Sequence, residues 1–546
     1  MKFKKALSSL LVIALPLLAV GQAKTEATDP IVAGKGVATV STSSGSVRGY
    51  IHNGTFTFKG IPYAKAERFM APTKPDSWTG VRSSMTYGPV CPMDVTTTTY
   101  DEIEFPFHHN WGYTNENCLS LNVWTPELNN TKKSNEGGRP VMVWLHGGGF
   151  TAGSSVELPS YDGENLTKKG DVVVVTVNHR LNVLGFLDLS AYGEKYKNSA
   201  NAGLMDLVAA LQWVQQNITQ FGGDPGNVTI FGQSGGGGKV TSLMNAPSAK
   251  GLFHKAIVQS GSYITSFTET DLAQKVSAAL LDELNLKPNQ IDSLQKISYE
   301  RLNAASKKAI RTVAEKLKAD GKPTTGLGWG PVHDGSFLPD QPTEPAAIAL
   351  SKTIPLLVGS TKNEFTPFNP GTRDLTMEGA KANLQKKYGD KADAYMAAVK
   401  KAYPETIKPS DYTDIDVNFR PLTVQQANAK AIPGAAPVYM YLFTWQSPVM
   451  DGIYKSMHCM EIPFVFDNID YCQEMTGGGK AAHALADKMS RAWISFARTG
   501  NPNHKGLPTW PAYTPENGST MILDNANQVK SYPDKELLQI ATGKTQ

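Results

Sequence analysis

Residues 228–244 constrain the fold more than any other stretch of the chain. The β-branched run Val228-Thr229-Ile230-Phe231 leads into Gly232-Gln233-Ser234-Gly235-Gly236, and Lys239-Val240-Thr241-Ser242-Leu243-Met244 can continue as a helix. A sharp strand-to-helix turn of this kind lifts one serine hydroxyl above a sheet. Its backbone crowds so closely that Gly232 and Gly236 must lack side chains. Ser234 is therefore the first candidate nucleophile. The run Gly235 to Gly238 is a poor helix start, costing roughly 1 kcal/mol per glycine relative to alanine in a helix interior. Something other than helix propensity demands it.

The neighbouring pattern extends this turn into an α/β order. Val141-Met142-Val143-Trp144-Leu145 and Val172 to Val177 are solid apolar runs without alternation, as expected of strands covered on both faces in a mainly parallel sheet. Between the second run and the elbow, Leu204, Leu207, Val208, Leu211, Val214 and Ile218 recur at helical spacing, and Gly222-Gly223-Asp224-Pro225 supplies a stop. Upstream, Thr39–Thr42, Ser46–Tyr50 and Thr55–Phe58 read as antiparallel strands at a sheet edge. After Ser262 the composition turns helical over residues 269–320 and again over 377–402, while Pro355–Val358 and Val438–Phe443 resume the sheet. No internal repeat or low-complexity linker divides the chain, although 546 residues would suggest about three domains by length alone.

Residues 1–23 combine Lys2, Lys4 and Lys5 with the apolar stretch Ala6–Val20 and the small residues Gly21 and Ala23. This is the pattern of a secretory signal peptide. The stretch is shorter than the roughly 20 residues needed to span a bilayer, and no cysteine near the cleavage point offers a lipid anchor. A soluble protein, secreted or periplasmic, is expected. The charge of +4 from 53 basic and 49 acidic residues contains no basic block, so no nucleic-acid partner is expected. Four cysteines in an exported chain favour disulfides. Three pairings are possible, the nearest-neighbour one joining Cys91 to Cys118 and Cys459 to Cys472. No Cys-x-x-Cys or His-x-x-x-His spacing points to a metal.

A serine nucleophile needs a base, a group to orient that base, and donors for the oxyanion. His146-Gly147-Gly148-Gly149-Phe150 follows the buried run at 141–145, so the amides of Gly148 and Gly149, with that of Gly235, form a candidate three-donor hole.

Several motifs in order resemble the type-B carboxylesterases, the cholinesterase-like branch of the α/β-hydrolases. These are Gly60-Ile61-Pro62-Tyr63-Ala64, Glu116 to Trp124, the His146 glycine loop, Val177-Asn178-His179-Arg180 and Phe221 to Pro225. The likeness runs from about Gly45 to Leu523. It implies an α/β-hydrolase fold with a large mixed, mostly parallel sheet flanked by helices. It also implies one catalytic domain over 24–546, with helical inserts near 269–320 and 377–402 over the active site.

The resemblance assigns the base to His458, in His458-Cys459-Met460-Glu461-Ile462-Pro463. The acid falls on Glu364, in Gly359-Ser360-Thr361-Lys362-Asn363-Glu364, with Asp334 and Asp467 as weaker alternatives. Phe365 stands where the family usually has glycine. Gln233 replaces the family's glutamate before the nucleophile, and His108 falls at the position of the choline-binding tryptophan, with Trp111 out of register. Both weigh against a choline ester. Cys459 beside the histidine resembles tannase-type esterases, whose second cysteine is replaced here by Gln233; a Cys459–Cys472 bridge would instead brace the histidine loop. Arg68 and Glu116 are an expected ion pair, and Ser260 matches a second family serine near the triad.

The implied activity is hydrolysis of carboxylic esters through a Ser-His-Glu triad, with no cofactor and no metal. Amide or carbamate hydrolysis by the same route, and a non-catalytic binding or adhesion protein, are the alternatives. Phe105, Phe107, Trp111 and Trp329 suggest an apolar or aromatic pocket for a small-molecule ester.

Overall fold

The computed structural model describes residues 30–543 apart from 95–100, 130–137, 264, 325, 370 and 372. The expected signal peptide, residues 1–23, lies outside the described residues. An eleven-stranded sheet organises the chain. Its strands are β1 (Tyr50–His52), β2 (Thr55–Pro62), β3 (Ser120–Thr125), β4 (Arg139–Leu145), β5 (Val173–Val177), β6 (Gly223–Gln233), β7 (Lys255–Gln259), β8 (Leu356–Thr361), β9 (Val438–Phe443), β10 (Ser519–Leu523) and β11 (Gln528–Ser531). Their spatial order is β11-β10-β9-β8-β7-β6-β4-β5-β3-β2-β1. Strands β4 to β10 run parallel, and the antiparallel pairings are confined to β1–β3 at one edge and β11 at the other.

The solid apolar runs are central strands because each face meets its own core. Along β4, Val141, Val143 and Leu145 join one cluster with Val173, Val175 and Ile230. Met142 and Trp144 join the other, with Val174, Phe231 and Phe466. Side chains alternate across a strand, so a run without polar alternation fits only a strand covered twice. The helix Ala202–Asn217 buries Leu204, Leu207, Val208, Leu211 and Val214 as its spacing requires. The chain then tightens into a 3₁₀ turn at Ile218–Phe221 and is stopped by the left-handed Gly222.

The amino-terminal reading needs one correction. Thr39–Thr42 and Gly45–Arg48 pair with each other, and Val81–Ser83 completes a separate three-stranded sheet. Only Tyr50–His52 and Thr55–Pro62 reach the edge of the large sheet. The two helical regions are present as Thr270–Glu283 packed on Tyr299–Ala319, and as Met377–Tyr388 packed near Ala392–Ala402. Arg68 donates through Nε to Glu116 Oε2 at 2.6 Å and through Nη1 to the Leu294 carbonyl at 3.0 Å, tying the first insert to the cysteine loop. No helix among the described residues is long and apolar enough to cross a membrane.

Candidate active site

Strand β6 ends at Gln233 and the helix Gly235–Met244 begins one residue after Ser234. Ser234 sits at φ 56°, ψ −124°, a backbone state that costs on the order of 1–3 kcal/mol for a residue with a side chain. Close packing enforces it. A Cβ on Gly236 would lie 1.9 Å from the Leu145 carbonyl oxygen, and one on Gly232 would lie 2.5 Å from the Gly236 carbonyl carbon. Gly235, Gly236 and Gly237 thus answer to backbone contacts. Gly235 abuts Gly149, and Gly237 abuts Gly261, whose Cα would be 2.8 Å from an added Cβ.

The loop after β4 supplies the facing wall. Gly148 and Gly149 are left-handed at φ 77° and 63°. Their amides donate to no acceptor among the described residues, and Gly149 lies directly against Gly235. Backbone donors therefore converge beside Ser234.

Glu364 follows β8 and His458 follows the segment after β9. A backbone bond from His458 N–H to the Glu364 carbonyl, 2.9 Å, fixes the two chains side by side. His458 Nδ1 is hydrogen-bonded to Glu364 Oε2, while Glu364 Oε1 accepts from Ser260 Oγ at 2.7 Å and the Thr361 amide at 2.9 Å. Asp334 is engaged elsewhere, accepting from Asn201, and Asp467 pairs with Lys169. Ser234 Oγ is not hydrogen-bonded to the imidazole; the two groups meet across a shared cavity. Gln233 lies fully buried, its Nε2 3.3 Å from each imidazole nitrogen of His458.

Two further carboxyls crowd Glu364. Glu461 is fully buried, and burial followed by the charge of Glu364 pushes it up to about 7. Asp416, raised to about 7 for the same two reasons in the same order, caps the helix Phe419–Lys430 through the amides of Phe419 and Arg420.

Ser234 and His458 line a cavity of about 590 Å³ together with Gln233, Cys459 and Gly147–Gly149. Its apolar walls include Ile103, Phe107, Trp111, Phe365 and Phe368. Phe365 packs against His458 with ring centroids 4.1 Å apart and the rings tilted by 31°, and His109 stacks on Trp111 at 4.5 Å. Three expectations fail here. His108 lies in a neighbouring hollow, 3.5 Å from Glu474, because its left-handed backbone (φ 48°) sends His109 into the cavity in its place. Trp329 packs at the edge of the core away from this cavity. The inserts at 269–320 and 377–402 contribute no lining residue. His109 and the buried Glu157 are lining residues that the sequence reading missed; the alternation Phe107, His109, Trp111 was the available signal.

All four cysteines are thiols. Cys91 and Cys118 are adjacent: contact with Cys91, then burial, pushes the Cys118 thiol up. The expected Cys459–Cys472 bridge is absent because Cys459 Sγ instead donates to Gln233 Oε1 at 3.2 Å, and Cys472 is buried among core residues. Among the described residues no group of three or more His, Cys, Asp or Glu side chains could hold a metal ion.

A profile described as the carboxylesterase family matches residues 36–541. The chain belongs to the carboxylesterase family. It is 37% identical to a para-nitrobenzyl esterase of Bacillus subtilis (strain 168) over 508 residues, covering 92% of this chain and 97% of that one. It is 35% identical to a cocaine esterase of Homo sapiens, covering 85% and 82%. Among solved structures, an esterase from anaerobic Clostridium hathewayi that can hydrolyze aliphatic aromatic polyesters superposes with a TM-score of 0.82 at 38% identity, covering 95% of this chain and all of that one. This carboxylesterase is a carboxylic ester hydrolase with the α/β sheet architecture of its relatives.

Proposed function

We propose that this carboxylesterase works through Ser234 as nucleophile, His458 as general base and acid, and Glu364 as the group that orients the imidazole. The amides of Gly148, Gly149 and Gly235 bind the oxyanion. The observation that carries this reading is the strained Ser234 elbow pressed against Gly149, with the His458–Glu364 pair opening into the same cavity.

Ser234 Oγ attacks the ester carbonyl carbon as His458 Nε2 takes its proton. The carbonyl oxygen becomes an oxyanion held by backbone N–H groups, each worth about 2.7–4 kcal/mol by analogy with measured donor deletions. Collapse breaks the bond to the alcohol oxygen, which leaves with the proton from the imidazolium. Water then attacks the acyl-enzyme, gives its proton to His458, and the acid departs as that proton returns to Ser234 Oγ. Glu364 holds the imidazole by Nδ1 and stabilises the imidazolium.

The aromatic lining supports esters with apolar or aromatic groups, in keeping with the para-nitrobenzyl and aromatic-polyester activities named for two relatives. One catalytic domain over 24–546 is proposed, as is export after removal of residues 1–23, with closure of the adjacent Cys91 and Cys118 thiols into a bridge. Amino-terminal sequencing and non-reduced peptide mapping test these two steps.

A fluorophosphonate probe tests the triad. Wild-type labelling on Ser234, lost in Ser234→Ala, is expected; no wild-type labelling, or equal labelling of the variant, overturns it.

A further inference from the structure

We infer that Lys239 is a positioning residue that polarises the oxyanion-binding loop from behind. This rests on the proposed role of the Gly148 amide. Lys239 lies on the helix that starts at the elbow and is fully buried. Its Nζ donates to the carbonyl of His146 at 2.9 Å and to that of Gly147 at 3.4 Å. The Gly147 carbonyl and the Gly148 N–H belong to one peptide unit. A cation donating to the carbonyl end withdraws electron density from the nitrogen, strengthening the N–H as a donor, and bonds in such a chain reinforce one another by about 10–30% each. The same two contacts fix the plane of the peptide, so the donor is aimed before substrate arrives.

The surroundings keep this cation in use. The imidazoles of His146 and His179 are held well below their ordinary range, first by burial and then by the charge of Lys239. They stay neutral beside it. Glu157 supplies the opposing charge, and the Phe150 ring lies 5.8 Å from Nζ. Arg180, next to His179, is neutralised by Asp206. Burial pulls Lys239 down to about 7, so the polarising charge is present below that pH and lost above it.

The test compares wild type with Lys239→Met and Lys239→Gln for kcat and KM on an aryl acetate, and for affinity toward a trifluoromethyl ketone that forms a tetrahedral oxyanion on Ser234. Expected are a kcat about tenfold lower, a KM within twofold, and ketone binding weakened by about the same tenfold. Wild type that binds the ketone while the folded variants bind it equally well overturns the inference alone. Wild type that fails to bind the ketone overturns the triad reading beneath it. Should both variants fail to fold, wild-type ketone affinity between pH 7 and 9 decides: weakening of about fivefold, as the half-charged Lys239 at pH 7 loses its proton, supports the inference, and constant affinity contradicts it.

Discussion

A Cβ on Gly235 would lie 2.2 Å from the carbonyl oxygen of Gly149. The elbow and the glycine loop are thus one packed unit, and any side chain at 235 must push the two apart. Gly235→Ala is expected to fold yet lose at least about a hundredfold in kcat, the scale of losing one oxyanion donor. Steady-state kinetics with circular dichroism on the same sample check this; activity within tenfold of wild type would show the contact to be dispensable.

Glu461 is expected to make stability fall with rising pH. Its folded-state value near 7 exceeds the ordinary glutamate value of about 4.3. The folded protein therefore holds that proton more tightly than the unfolded chain. The contribution is full below about pH 4.3 and is lost as pH rises through about 7. Glu461→Gln cannot ionise, so its stability relative to wild type should improve between pH 5 and pH 8, on the order of 3 kcal/mol. Denaturant titrations at the two pH values measure the difference; a gap that does not change with pH would refute the assignment.

Gln233 Nε2 is equidistant, at 3.3 Å, from the two nitrogens of His458. A carboxylate in its place would favour the imidazolium. Gln233→Glu is expected to move the acid limb of the kcat/KM profile to higher pH by about one unit. It should also lower KM selectively for cationic esters. A pH–rate profile with an unmoved acid limb would contradict this electrostatic role.

Trp111 lines the cavity under His109, whereas His108 lies outside it. Trp111→Ala should raise KM for an aromatic ester about fivefold to tenfold, in line with loss of an aromatic contact of about 0.5–1.5 kcal/mol. His108→Ala should leave KM within twofold. The reverse ranking would put the substrate in the neighbouring hollow.

The central sheet and the elbow were legible because both are written in local patterns. Val141 to Leu145 has no polar alternation, and Ser234 is bracketed by glycines that only a crowded turn requires. Glu364 was reached through the family resemblance of residues 359–364, and the structure sets its carboxylate against His458 Nδ1. The third glycine, Gly237, could not be explained locally, since its reason is Gly261 across the β7 turn. His109 was missed by one position: the left-handed backbone at His108 reverses which side chain enters the cavity, and nothing in that residue's identity announces it. The Cys459–Cys472 pairing failed for a similar reason, because Gln233 engages the Cys459 thiol from 226 positions away in sequence. Lys239 looked like an ordinary helix residue, and only burial and its two carbonyl partners reveal its setting.

The most direct test of the account is rapid-quench mass spectrometry of wild-type protein during hydrolysis of an activated aryl ester. An acyl adduct is expected on the peptide carrying Ser234, formed in a burst with release of the alcohol and cleared at the steady-state rate. Turnover with no adduct, or an adduct on a different residue, would contradict it.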